Sequence, residues 1–145
     1  MMQTVAQILQ AKGSVVYKVD PDTSILDALR LMADKGVGAL VVMDGEQIIG
    51  IYTERDHVRK VDLGGFCSHR AVVHQVMSTE VCYIAPTTTV DEAMALMTEN
   101  RCRHLPVMVD GRLLGLVSIG DLVKASLDEK EFVIEQLKRY IKDGF

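Results

Sequence analysis

The sequence predicts an α/β fold of the α+β kind, in which a small mixed β-sheet covered by helices occurs twice and the two copies pack pseudo-symmetrically. Three observations carry this expectation. Displaced by 65 residues, Val19–Asp56 lies on Ile84–Asp121 without a gap, and ten of the 38 positions are identical. Within each copy, segments of helical and strand periodicity follow in the same order. Each copy also closes its last strand on one short pattern: Gly50-Ile51-Tyr52-Thr53-Glu54-Arg55-Asp56 and Gly115-Leu116-Val117-Ser118-Ile119-Gly120-Asp121.

The identities include Pro21/Pro86, Ala28/Ala93, Leu31/Leu96, Met32/Met97, Gly50/Gly115 and Asp56/Asp121. Lead-in segments correspond as well, Val5–Leu9 to Val73–Met77, once three residues are inserted. Two copies are too few for a solenoid. Half-sized units that cannot each bury a full core are expected to pack face to face, with paired clefts at their common interface. The expected divisions are repeat one at 3–61, a linker at 62–68, repeat two at 69–125 and a C-terminal helix at 126–145.

Val5, Ile8 and Leu9 at helical spacing predict a short amphipathic helix over residues 3–11, broken by Lys12-Gly13-Ser14. Val15–Val19 is a short β-rich run ended by Pro21. Ser24 begins a helix with Asp27 in capping-box position and Ile25, Ala28, Leu29 and Met32 on one face; Gly36 and Gly38 stop it. Ala39–Met43 is an unbroken apolar run, the mark of a strand covered on both faces. Asp44-Gly45-Glu46 turns the chain into the strand Gln47–Tyr52, and Thr53 opens a helix to about Val61. Repeat two predicts a lead-in helix at Val72–Met77, a strand at Val81–Ile84, a helix capped by Thr89 and Glu92, strands His104–Val109 and Arg112–Val117, and a helix from Ser118. Ser126 and Glu129 then form a second capping box, and Phe132, Ile134, Leu137 and Ile141 an incomplete apolar stripe. Packing of that helix on its own module is expected, with a dimer contact as the alternative.

The formal charge of −4 argues against nucleic acid as a partner, because a phosphate backbone demands a basic face. No apolar run approaches the roughly eighteen residues of a membrane span, and Met1-Met2-Gln3-Thr4 lacks the form of a secretory signal. Three cysteines, Cys67, Cys82 and Cys102, without a Cys-x-x-Cys pair, suit a reducing cytoplasm better than a disulfide framework.

Enzyme motifs are missing. There is no Gly-x-Ser-x-Gly, no phosphate loop and no His-Glu-x-x-His, and Gly36-Val37-Gly38 lacks the third glycine of a dinucleotide fingerprint. Cys67, His69 and His74 fit no zinc spacing, so neither a metal site nor a catalytic group is assigned. Binding chemistry fares better. A Ser or Thr hydroxyl beside the free N–H groups of a helix N-terminus forms a phosphate seat, although the same residues serve as plain helix caps. A carboxylate one turn on can accept both hydroxyls of a ribose. Lys18, Arg55, Arg101, Arg103 and His104 add positive charge nearby.

The duplicated pattern resembles the CBS domain, named from cystathionine β-synthase, and a tandem pair of them, a Bateman module. The resemblance rests on the two Gly-h-x-Ser/Thr-x-x-Asp segments, on Asn100-Arg101-Cys102-Arg103-His104-Leu105-Pro106-Val107 and on the strand starts Val16–Pro21 and Val81–Pro86. It covers roughly residues 3–125. It implies two inter-repeat clefts for adenosine-containing ligands: AMP, ADP, ATP, NAD or S-adenosylmethionine. Asp56 and Asp121 would hold ribose hydroxyls, and Thr53, Ser118, Arg55 and Gly120 would line ribose and phosphates. Backbone at Val16–Lys18 and Val81–Tyr83 would meet the adenine edge, while Arg103 and His104 would approach phosphate. A regulated partner protein and a disc-shaped homodimer are implied too.

The copies differ in one place. Arg103-His104-Leu105-Pro106 corresponds to Gly38-Ala39-Leu40-Val41, so the two sites are expected to differ in charge and shape. The reading is a regulatory adenine-nucleotide sensor without catalysis. Its rivals are a structural interaction or dimerisation module with vestigial clefts, and an enzyme using Cys102 or His104.

Overall fold

The computed structural model describes residues 3–143. The chain forms two compact units, Val15–Val81 and Met1–Ser14 with Cys82–Phe145, called here the repeat-one and repeat-two units. Neither coincides with a sequence repeat, because the lead-in segments have changed places.

In the repeat-one unit, β1 (Lys18–Val19) runs parallel to β2 (Ala39–Asp44), which pairs antiparallel with β3 (Gln47–Thr53). Ala39 to Val42 are all buried, as their unbroken apolar run requires. Helix α2 (Ile25–Lys35) is capped by Ser24, whose Oγ accepts the Asp27 N–H at 3.1 Å, and ends at Gly36 with φ of +64°. Its stripe of Ile25, Ala28 and Met32 packs with Leu40, Val42 and Tyr52. After Thr53 comes one turn of helix, α3 (Glu54–Asp56), and then a π-helical stretch, His57–Asp62, where a single regular helix was expected. The widened turns accompany a 2.9 Å hydrogen bond between the Tyr52 hydroxyl and His57 Nδ1.

The repeat-two unit contains α1 (Val5–Lys12), α4 (Val90–Asn100) and the antiparallel pair β4 (His104–Val109) and β5 (Arg112–Ser118), followed by α5 (Ile119–Asp143). Thr89 and Glu92 form the expected reciprocal capping box. The strand expected at Val81–Ile84 shrinks to one parallel bridge, Ile84 to Val107. The cause is local. In the repeat-one unit the Val41 N–H donates to Tyr17 O at 3.1 Å; its counterpart here is Pro106, which has no N–H to offer. Both hairpins carry a register shift at equivalent places, Val42/Met43 and Val107/Met108.

Helix α1, the lead-in of repeat one, docks in the repeat-two unit. The Val5 N–H donates to Thr88 O and the Val90 N–H to Gln3 O, both at 2.9 Å, and Val5, Ile8 and Leu9 enter the core of Val90, Ala93, Leu105 and Val117. The lead-in of repeat two docks in the repeat-one unit, where the Val73 N–H donates to Thr23 O at 2.9 Å. It is a 3-10 turn, Val73–Gln75, not the expected longer helix.

This exchange explains Gly50 and Gly115. A Cβ on Gly50 would lie 2.6 Å from Met77 Sδ and 2.9 Å from the Ser78 carbonyl; on Gly115 it would lie 2.7 Å from Leu9 Cδ2. Gly50→Ala must push backbone aside and is expected to cost about 1–3 kcal/mol, measured by urea unfolding. Gly115→Ala displaces only a leucine tip and should cost less. A larger loss at Gly115 would contradict this.

Helix α5 departs most from expectation. It is one helix from Ile119, so Ser126 lies inside it and caps nothing. No Gly or Pro occurs between Asp121 and Asp143 to stop it. Leu122 and Ala125 are its buried residues, and from Leu127 to Lys142 every side chain except that of Glu129 is exposed. The expected packing of this segment on its own module is not found.

Candidate functional site

The strand-to-helix turn is built twice by the same bonds. The Glu54 N–H donates to Gly38 O at 3.1 Å, and the Ile119 N–H to Arg103 O at 2.9 Å. Ala39 pairs with Thr53, and His104 with Ser118. Each turn thus sets a helix start beside the entry to the neighbouring strand.

In the repeat-one unit this collects Gly38, Ala39, Thr53 and Asp56 at one sheet end, with Lys18 on β1 opposite Val41. Val16 precedes β1, Arg55 points to solvent, and Val81 stands at the unit's boundary with no hydrogen bond to the turn. Asp56 is 8% exposed. Its Oδ2 accepts the Thr53 N–H and hydroxyl, each at 3.1 Å, and its Oδ1 accepts the Ser78 hydroxyl at 2.9 Å. Lys60 Nζ stands 3.6 Å from Oδ1. Both carboxylate oxygens are therefore used inside the unit, and so is the Thr53 proton. Against Gly38 lies the Glu54 carboxyl, its Cδ 3.7 Å from where a Cβ would be.

The repeat-two unit brings His104, Ser118, Gly120 and Asp121 together, with Arg103 one residue before β4. Tyr83 is half exposed beside the Ile84 bridge, and Pro106 O accepts the Ile84 N–H at 3.0 Å. Asp121 Oδ2 accepts the Ser118 N–H at 2.9 Å and Lys12 Nζ at 2.7 Å, and Ser118 Oγ accepts the Asp121 N–H at 3.2 Å. Among the described residues no donor reaches Asp121 Oδ1, while the Ser118 side chain also bonds the Asp121 carboxylate. This end keeps one acceptor to spare. The repeat-one end keeps none.

Electrostatics separate the two ends further. Burial works to raise the Asp121 carboxyl, but the Lys12 and Ser118 hydrogen bonds and the Lys12 charge hold it below the usual carboxylate range. Burial pushes the His104 imidazole down; the Asp121 carboxylate opposes this, and Lys12 and Arg103 add to it. His104 is therefore neutral at pH 7 in the absence of an anion. Burial, with the nearby Cys82 thiol, pushes the Cys102 thiol up, which keeps it protonated and a poor nucleophile. Among the described residues no group of three or more His, Cys, Asp or Glu could hold a metal ion, and no helix is long and apolar enough to cross a membrane.

Lys12, Lys60, Ser78 and Glu54 were missed as site residues. Lys12 is 109 positions from Asp121 in the chain, and no local pattern links them. Glu54 could have been found, since it aligns with Ile119 in the duplication.

A family model described as "CBS domain" matches residues 13–59 and 73–128. The chain belongs to the CBS-domain family. It is 39% identical over 98% of its length, and 73% of the relative's, to the mitochondrial CBS domain-containing protein CBSX3 of Arabidopsis thaliana. A CBS-domain protein from Burkholderia ambifaria superposes with a TM-score of 0.84 at 51% identity, covering 87% of this chain and 95% of that one. A hexameric CBS-CP12 protein from bloom-forming cyanobacteria gives 0.76 at 26% identity, over 85% of this chain and 67% of that one. CBS-domain pairs are generally regulatory, signal-transduction modules and typically non-catalytic. The first family match begins after its lead-in and the second at the start of its own, and the second stops at residue 128, near the start of the exposed part of α5.

Proposed function

We propose that this CBS-domain pair senses an adenosine-containing nucleotide, AMP, ADP, ATP or NAD, signals its level to a separate partner protein and self-associates as a homodimer. The observation that carries the reading is the spare hydrogen-bonding capacity at the start of α5. Asp121 Oδ1 is a free acceptor beside the N–H groups of a helix terminus. Ribose hydroxyls would donate to the carboxylate. Phosphate would meet the N–H group of Gly120, with Arg103 and a His104 that takes up a proton as the anion arrives. Tyr83 and Pro106 would flank the base. Lys12 is the internal substitute: its ammonium neutralises Asp121 at 2.7 Å and would turn toward phosphate on binding.

The repeat-one set, Val16, Lys18, Gly38, Ala39, Thr53, Arg55, Asp56 and Val81, suits a less charged ligand group. Its carboxylate is engaged and Glu54 repels phosphate. A thermal-shift panel tests the reading. A binder at a hundredfold excess over Kd gains about 2.7 kcal/mol, a rise of several degrees. No shift with any of the four nucleotides would overturn it.

A further inference from the structure

The second half of α5 cannot be accounted for by the chain itself. From Lys130 to Lys142, thirteen consecutive residues are exposed, and an isolated helix of that length is only marginal in water. Yet it is not polar. Val123, Leu127, Ile134, Leu137 and Ile141, between 40% and 69% exposed, recur at spacings of four, seven, three and four. That is the a/d rhythm of a two-helix seam. Val123 and Leu127 also line an open groove at the start of the same face.

Charge says what covers it. Asp121, Asp128, Glu129, Glu131 and Glu135 stand against Lys124 and Lys130 in the first half, whereas Lys138, Arg139 and Lys142 against Asp143 make the second half basic. Two copies side by side in the same direction would set acid against acid. Two copies head to tail set each acidic half against a basic one.

We infer that α5 is the docking surface for α5 of a second copy of this chain, packed antiparallel about a two-fold axis near Glu135-Gln136. With Ile134 facing Leu137 of the second copy, Glu131 comes beside Lys138 of the second copy, and the symmetric pair forms as well. The facing residues Ile134 and Leu137 lie outside the family match, which stops at residue 128. The inference rests on the self-association proposed above and not on nucleotide binding.

Sedimentation equilibrium of the full chain tests it, with unchanged melting temperature as the control that these exposed substitutions leave the fold intact. Ile134→Glu with Leu137→Glu should weaken self-association more than about a hundredfold. Glu131→Lys and Lys138→Glu should each weaken it by about tenfold, because every change occurs twice across the axis. Glu131→Lys with Lys138→Glu should restore it. A monomer at all concentrations would sink both self-association and this surface. A dimer indifferent to the Glu substitutions, or a charge swap that fails to restore, would sink the antiparallel α5 pair alone.

Discussion

Asp121→Ala is expected to weaken adenine-nucleotide binding by about a hundredfold, while Asp56→Ala leaves the affinity of the phosphate-bearing ligand within about threefold. Two charge-assisted hydrogen bonds to ribose are at stake at Asp121, each contributing about 1.5–3 kcal/mol. The difference arises from occupancy. Asp121 keeps Oδ1 free of donors among the described residues, with its side chain 24% exposed, and trades only the Lys12 contact when a ribose arrives. Asp56 would have to release Ser78 and Thr53 first. Isothermal titration with AMP, ATP and NAD decides it. Equal losses in the two variants would show that the asymmetry has no functional expression.

The same comparison reverses for stability. Asp56→Ala should destabilise the fold by about 2–3 kcal/mol, since it strands the Thr53 N–H and the Thr53 and Ser78 hydroxyls beside a buried void. Ser78 directly follows the exchanged lead-in, and its backbone pairs with Ile51 in both directions, at 2.8 and 3.0 Å. The carboxylate therefore ties the turn to that segment. Asp121→Ala loses a half-exposed lysine contact and one capping bond, about 1 kcal/mol. Urea unfolding of the two variants would show the order, and a greater loss at Asp121 would contradict it.

Much of this was legible in the residues. The duplication predicted the repeated hairpins. The unbroken apolar run predicted the buried β2, and Thr89 with Glu92 predicted the α4 cap. The contrast of Arg103-His104 with Gly38-Ala39 anticipated unequal sites, and the geometry adds Glu54 and Lys12 to that contrast. Other features had no local signal. Val5, Ile8 and Leu9 and their counterparts Val73, Val76 and Met77 are interchangeable apolar triplets, so periodicity cannot say which sheet each one covers. Ser126 followed by Glu129 has the form of a helix start, yet the same residues are tolerated inside a helix when tertiary contacts on its first turns carry it onward. Pro106 did carry its message, since a proline opposite an incoming strand limits that strand to a bridge.

The exchanged lead-ins also govern the order in which the molecule can be made. The repeat-one unit contains only consecutive residues, Val15–Val81, and can close as soon as Ser78 has left the ribosome. Helix α1 is synthesised before that unit but finds its partners, Thr88 and Val90 among them, only after it. Until then its apolar face of Val5, Ile8 and Leu9 has no native surface to cover, and closing so long a loop is entropically slow. An element made ahead of the repeat-one unit is thus fixed in place after it, and a nascent chain stalled before Val90 would display α1 to whatever chaperone or neighbour is at hand.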